Sequence, residues 1–290
     1  MQEIKGKDAA DSILKDVESF FYLSSKFSIK KEFFASSKTH ALVRGTGGNT
    51  RIVLSRDLCD SDIKSLDDFF YTLIIVAHEI AHYLHKHTHH SDDPAGLDFH
   101  AIETWADFFG ARLFIVVITH GRNTNRLINT LSKDVTRDDI LKAIGRSISD
   151  IYKYIYCNTT SSKYPEPTQR VLSFTSGVTS YFYRAYDKLM PNFIAHVLFT
   201  ILREANLVDI LAQNSKINDN LPVIAKKSSD IHKSIQGGEN AITKGMKLEF
   251  LHLLATNYNI SEAEVTRDRR ILISQAKKAG LNISLLEEHN

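Results

Sequence analysis

VAHEIAHYLHKHTHH, residues 76–90, holds six of the thirteen histidines of this 290-residue chain. It contains an HExxH pattern, formed by His78, Glu79 and His82. Residues at positions i and i+4 share one face of a helix, so these two imidazoles could bind one metal ion with Glu79 beside them. The alternative is a histidine-rich helix end in solvent, and the rest of the chain decides between the two interpretations.

The composition is that of an ordinary globular protein, with 43% hydrophobic residues, 24% charged residues and a net charge of +2. A charge so close to zero gives no reason to expect nucleic acid or a membrane as a partner. Cys59 and Cys157 are too few for a disulfide framework, which suits a reducing compartment. The charged N-terminal sequence lacks the apolar core of a signal peptide. We therefore expect a cytoplasmic protein.

Periodic patterns predict a mainly helical α+β fold. Two β-prone runs around the turn-forming GTGGN predict a hairpin of strands near 40–44 and 50–55, a small N-terminal sheet just before the HExxH helix. Helical spacing and capping residues predict eight helices: 8–24, Leu66 into the His-rich stretch, 97–119, Thr136 to about Cys157, 167–189, 191–213, 240–258, and a last helix that Ser261 begins. We expect one domain over residues 1–213. Residues 214–290 form a C-terminal helical segment, either separate from this domain or part of it.

A candidate third metal ligand lies on the next predicted helix, within ETWAD (103–107). Glu103 and Asp107 are at i and i+4 on an otherwise apolar helix, where two carboxylates are unfavourable to bury without partners. Glu103 could complete the metal site, and Asp107 could accept the free ring N–H of a ligand histidine. An exposed acidic stripe is the alternative. Together with HExxH, the pair favours one Zn²⁺ per chain, bound by His78, His82 and Glu103.

HExxH followed by a helix with ETWAD resembles the gluzincin metallopeptidases, and within them the phage-exclusion (Lit-type) peptidases. The likeness covers residues 75–172 and includes His87 and YPEPTQR (164–170). The family has His-Pro followed by an arginine five residues after the proline; Pro165 and Arg170 keep this spacing, while Tyr164 replaces the histidine. The resemblance implies a zincin-like fold, a catalytic hydrogen bond from Tyr164 and a substrate contact from Arg170. It further implies cleavage of a cytosolic protein during phage exclusion, with a phage-derived activator.

The mechanism expected from these residues is zinc-dependent hydrolysis of a peptide bond. Glu79 would take a proton from metal-activated water and pass it to the leaving amine. TRIVLSR (50–56) is expected to be an edge strand that pairs with extended substrate, unless it is an ordinary structural strand. His87, His89 and His90 are expected in the solvated end of the helix.

Three other functions stay open. Repressor-cleaving peptidases of the ImmA/IrrE type share the motifs but usually accompany a helix-turn-helix module, which the sequence does not show. A di-iron four-helix protein would use two E-x-x-H pairs, Glu79 with His82 and Glu249 with His252. Such a protein would hold two irons in place of one zinc. The last option, a non-catalytic zinc protein, leaves Glu79 without a role.

Overall fold

The computed structural model of the chain describes residues 3–34, 39–89, 97–158, 164–186, 191–213, 221–236, 244–256 and 274. Over these residues the fold is mainly helical with little sheet, as predicted. The helices are α1 (Gly6–Ser19), α2 (Arg56–Asp60), α3 (Leu66–Leu84), α4 (Leu97–His120), α5 (Arg122–Leu131), α6 (Arg137–Ile151), α7 (Pro167–Ala185), α8 (Pro191–Glu204), α9 (Val208–Gln213), α10 (Leu221–Gln236) and α11 (Leu248–Leu254). The strands are β1 (Ile4–Lys5), β2 (Lys31–Phe34), β3 (Ala41–Arg44), β4 (Arg51–Ser55) and β5 (Asp62–Ile63).

The described residues from Glu3 to Ala255 form one compact unit, the first unit, which ends before Thr256. The first unit contains α10 and α11, so the described helices beyond residue 213 pack with those before it. The last helix expected, from Ser261, lies outside the described residues. No helix in the described ranges is long and apolar enough to cross a membrane.

Helix α4 is the centre of the first unit. From Ala101 to Ile118 its side chains are buried or half-buried on every side, which is typical of a helix surrounded by others. It packs against α3, α7 and α10. It approaches α3 closely at Gly110, where an added Cβ would lie 2.9 Å from the Cα of His78. The absence of a side chain at Gly110 therefore lets the two helices that carry the candidate ligands come together.

The expected hairpin is confirmed, but its position in the sheet is not the expected one. β3 pairs antiparallel with β4, with Leu42 opposite Val53, and Gly45 (φ +82°) turns the chain in a conformation that favours glycine. β2, which sequence patterns did not predict, pairs parallel with β4 on its other side, so the strand order is β2-β4-β3. The expectation that residues 50–56 form an edge strand is therefore wrong, because β4 is the central strand. Both of its hydrogen-bonding edges are taken.

Most predicted helices are present with shifted ends. The helix expected over 191–213 is two helices, α8 and α9, separated at Asn206, which has a left-handed backbone (φ 56°). The helix expected to reach Cys157 ends as a π-helical turn over Tyr152–Tyr156. Helix α10 lies in the predicted C-terminal helical segment, in a polar stretch where no individual helix was placed, and it packs against α4.

Candidate metal centre

Helix α3 presents His78 and His82 to helix α4. Its beginning is fixed by Ser65, whose hydroxyl accepts a hydrogen bond from the N–H of Asp68, while the Asp68 carboxylate accepts one from the N–H of Ser65. The one-turn spacing places the two imidazole rings 4.7 Å apart, between centroids.

Glu103 of α4 completes a three-residue cluster with these histidines. His78 Nε2 and His82 Nε2 are 3.0 Å apart, and each lies 3.4 Å from a carboxylate oxygen of Glu103. The ligand atoms all lie within 4.8 Å of one another, close enough for a single ion to contact all three. Among the described residues, no other group of three such side chains comes as close together.

Asp107, one turn after Glu103, connects His78 to the protein interior. Its Oδ1 accepts a hydrogen bond from His78 Nδ1 at 2.9 Å and another from the Tyr156 hydroxyl at 3.2 Å. Arg170, in the first turn of α7, donates to both carboxylate oxygens, from Nε at 2.7 Å and from Nη2 at 2.9 Å. The Asp107 side chain is 1% exposed, so the buried negative charge is matched by a buried guanidinium.

The charge state of the cluster follows from these contacts. Burial raises the pKa of Glu103, but His82, His78 and Arg170 outweigh it and lower the pKa to about 2. Burial likewise raises the pKa of Asp107, and Arg170 and His78 bring it down to about 2. Both carboxylates are therefore ionised at neutral pH. Arg170 neutralises only one of the two charges.

The donor set suits a divalent cation. Because a carboxylate oxygen only accepts, His78 Nδ1 must carry a proton, and in the neutral ring Nε2 then has a free lone pair. This lone pair faces His82 Nε2 and the ionised Glu103, an arrangement that is repulsive unless a proton or cation lies between them. In keeping with this demand, burial lowers the pKa of His78 but hydrogen bonds with Asp107 and Glu103 raise it to about 10. Two imidazole nitrogens and one carboxylate are a ligand set that Zn²⁺ accepts.

Glu79 lies beside the cluster but outside it. Its side chain is 9% exposed, and burial raises its pKa to about 7. It lines the same cavity as the three candidate ligands, without being one of them. A carboxylate in this position can accept a proton from a group held at the cluster and release it at neutral pH.

A cavity of about 620 Å³ opens onto these residues. Strand β3 and the preceding residues Thr39 and His40 line one wall, and α3 and α4 line another. Apolar side chains give the cavity much of its surface, among them Ile74, Ile102 and Phe174. The space is large enough to hold several residues of an extended peptide next to the candidate ligands.

Tyr164 and Arg170, which the sequence singled out, also lie at this cavity. Tyr164 is 36% exposed, and burial followed by the charge of Glu103 raises the pKa of its phenol. Arg170 is buried; its Nε and Nη2 face Asp107, and its guanidinium lies 4.1 Å from the centre of the Tyr156 ring. The contacts of Arg170 are thus with the carboxylates behind the cluster, and its role toward substrate stays a prediction.

The surroundings of His82 differ from those expected from the sequence. His87, expected in a solvated helix end, is buried, and its Nδ1 lies 2.8 Å from His82 Nδ1. His232 of α10 is fully buried and lies against His87, with 3.0 Å between their Nε2 atoms. No local pattern around His232 could have indicated this contact, because it depends on where α10 packs. Tyr156 was missed for a similar reason.

The di-iron alternative is not supported by the described residues. Glu249 and His252 lie on the exposed face of α11, and neither lines the cavity. The described part of the chain therefore brings no second E-x-x-H pair to His82.

No protein-family model, curated protein or solved structure matches the chain.

Proposed function

We propose that the protein is a zinc-dependent endopeptidase with a zincin-like active site. The observation that carries this proposal is the cluster of His78, His82 and Glu103, which shares a cavity with the buried Glu79 and with an edge strand. The histidines and Glu103 would hold the ion. A bound Zn²⁺ would supply Lewis-acid chemistry, lowering the pKa of water and polarising a peptide carbonyl.

Glu79 provides the proton transfer. Its carboxylate takes a proton from the attacking water and passes it to the nitrogen of the leaving amine, so that the base becomes the acid in the second half of the reaction. Tyr164 is the candidate donor to the carbonyl oxygen as negative charge develops there, because its phenol lines the cavity and keeps its proton at neutral pH.

Strand β3 is suited to hold the substrate backbone. Ser55 N–H donates to the His40 carbonyl at 2.8 Å, which makes this pair hydrogen-bonded in the antiparallel ladder. Hydrogen-bonding direction alternates along a strand, so the backbone groups of Ala41 and Val43 point away from β4, toward the edge with no further strand among the described residues. An extended peptide could pair there as an added strand beside the cluster.

The resemblance to Lit-type peptidases extends this proposal to the biology. It supports a cytoplasmic protein substrate cleaved during phage exclusion and a phage-derived activator. The ImmA/IrrE-type cleavage of a repressor is the second candidate, since it uses the same ligand pattern. Both share the chemistry proposed for this site, and identifying the cleaved protein separates them.

The first test is the metal content of purified protein. We expect about one zinc per wild-type chain and none in His82→Ala or Glu103→Ala, since two ligands rarely retain zinc. Two irons per chain, or folded protein without metal, would contradict the proposal. Elemental analysis gives both numbers.

The second test is the Glu79→Gln variant, assayed by mass spectrometry on a proteome-derived peptide library. The variant should keep its zinc and fold but lose cleavage by about 10²–10⁴-fold, the usual contribution of a general acid–base group. Glu249→Gln, at the exposed glutamate of the other E-x-x-H sequence, is the matched control and should cleave like wild type. Cleavage that persists in Glu79→Gln would refute the assignment.

A further inference from the structure

We infer that a series of three hydrogen-bonded histidines, which runs from His232 of α10 through His87 to His82, fixes the ring tautomer of His82. This makes His87 and His232 positioning residues for the metal site. The metal part of this inference rests on the proposed function. The contacts are continuous: His82 Nδ1 to His87 Nδ1 is 2.8 Å, and His87 Nε2 to His232 Nε2 is 3.0 Å. At the far end, His232 Nδ1 lies 2.6 Å from the carbonyl oxygen of Ser228 on the same helix.

The direction of these hydrogen bonds is decided at His232, the end of the series farthest from the metal site. A carbonyl oxygen only accepts, so His232 Nδ1 carries the proton, and the Nε2 of the neutral ring must accept from His87. His87 Nε2 therefore donates, which leaves its Nδ1 as an acceptor. His82 Nδ1 must then donate, and its Nε2 is left with a lone pair. That atom is the one that faces His78 and Glu103.

Burial prevents water from stabilising other tautomers of these rings. His232 is fully buried and His87 is 5% exposed, so water has little access with which to satisfy a ring nitrogen in another tautomer. An unpaired polar nitrogen in such surroundings is unfavourable. The tautomer of His82 that can bind a metal through Nε2 is therefore the one that the chain favours.

Helix α10 packs against α4 through a small contact that is separate from the main hydrophobic core. Ile224 and Ile231 pack on Ala101 and Ile102 of α4 as a hydrophobic cluster separate from the main core. Lys227 adds an ion pair with Asp98, 2.8 Å between Nζ and Oδ1. The ligand His82 is thus tied to a helix far along the chain, and the affinity of the site for metal depends on that helix being docked.

The tautomer is tested directly by NMR of ¹⁵N-labelled histidine rings, in protein freed of metal. We expect His82 with its proton on Nδ1 in wild type and a shift toward the Nε2-protonated form in His232→Leu. His232→Gln should restore the wild-type signal, because the amide oxygen of glutamine can replace Nε2 as the acceptor for His87. A wild-type His82 protonated on Nε2, or a signal unchanged in His232→Leu, would overturn the inference.

Zinc affinity, measured by competition with a chelating dye, provides the second readout. Loss of a group that orients a ligand commonly weakens metal binding 10–100-fold. We expect this loss in His87→Leu and His232→Leu, and a dissociation constant within about twofold of wild type in His232→Gln. Equal loss in His232→Leu and His232→Gln would overturn the inference, since it would point to packing alone.

His85→Phe is the matched control. His85 is fully buried beside His87, with 5.4 Å between the centroids of the two rings. Its own nitrogens contact the Ala81 carbonyl and Trp105 instead. Its replacement should leave the His82 tautomer in place. A wild type that shows the expected tautomer but binds no zinc would refute the proposed function and leave the hydrogen-bond chain standing.

Discussion

His78 and His82 are one turn apart on the same helix, yet the regions that support them differ in charge. Behind His78 is an ionic region, in which Asp107 is held by the Arg170 guanidinium and the Tyr156 hydroxyl. Behind His82 is a neutral region, made of the imidazoles of His87 and His232. In each region the partner of Nδ1 leaves Nε2 of the supported ring facing the candidate metal site; this partner is a carboxylate for His78 and an imidazole for His82.

This difference in charge predicts how a substitution in each region should affect the protein. Breaking a buried ion pair leaves a charge without a partner, which is strongly unfavourable. Breaking a contact between neutral rings leaves only an unpaired polar nitrogen, which is less unfavourable than an unpaired charge. The ionic region should therefore matter for folding as well as for metal binding, whereas the neutral region should matter mainly for metal binding.

Asp107→Asn should have the largest effect on stability. The amide keeps the shape of the carboxylate but removes its charge, so Arg170 loses its closest buried partner. We expect a loss of about 3–5 kcal/mol in the free energy of unfolding, measured by urea denaturation of the metal-free protein. Zinc binding should also weaken, because His78 loses its charged acceptor.

Asp67→Asn is a control with the same geometry at the surface. Arg146 donates to both oxygens of Asp67, at 2.6 Å and 2.9 Å, but its side chain is 46% exposed. Water screens that pair, and we expect a loss below about 1 kcal/mol. Similar losses for the two variants would show that the ionic region is not energetically special.

Gly110→Ala should have the next largest effect, because it separates the two helices that form the site. An added Cβ would lie 2.9–3.1 Å from backbone atoms of Ala77 and His78, so α4 would have to move away from α3. We expect a loss of about 1–3 kcal/mol in unfolding free energy together with weaker zinc binding. Gly48→Ala, where a Cβ would meet nothing within 4 Å, is the control. Wild-type zinc affinity in Gly110→Ala would show that the helices tolerate the shift.

Part of this architecture could be read from the sequence because it is local. The helix beginning at Thr136 was predicted and is present, as is the hairpin around Gly45. The i, i+4 spacing of two pairs of polar residues also predicted which side chains share a helix face. These features depend on neighbours within a few residues along the chain.

What was missed depends on tertiary packing. The central position of β4 is set by β2, a strand with exposed residues and a weak pattern. The burial of His87 is set by α10, which is joined to it through a contact 145 residues away in sequence. The fork between Arg170 and Asp107 requires α7 to lie against α4. Such contacts leave no periodic signal in either of the segments that form them.

The smallest effect that we predict is a difference in how the two regions respond to pH in the metal-free protein. In the neutral region, burial lowers the pKa of His82 to about 4 and that of His87 well below its ordinary value. Below pH 6.5 these two rings bind protons in the unfolded chain but not in the folded protein, so their contribution to stability falls as the pH drops from about 6.5 toward 4. In the ionic region, hydrogen bonds with Asp107 and Glu103 outweigh burial and raise the pKa of His78 to about 10. Its contribution is complete below pH 6.5 and is lost as the pH rises toward 10.

Urea denaturation between pH 5 and 9, with a chelator present, measures both slopes. Each proton taken up or released on unfolding changes the free energy by about 1.4 kcal/mol per pH unit. In His87→Leu, the slope of unfolding free energy against pH should decrease on the acid side by up to the equivalent of one proton and stay unchanged on the alkaline side. In Asp107→Asn, the slope should decrease on the alkaline side, because His78 loses its charged partner. If one variant changed both slopes equally, the two regions would titrate as one network. The separation between an ionic and a neutral support for the metal ligands would then fail, even if each hydrogen bond were present.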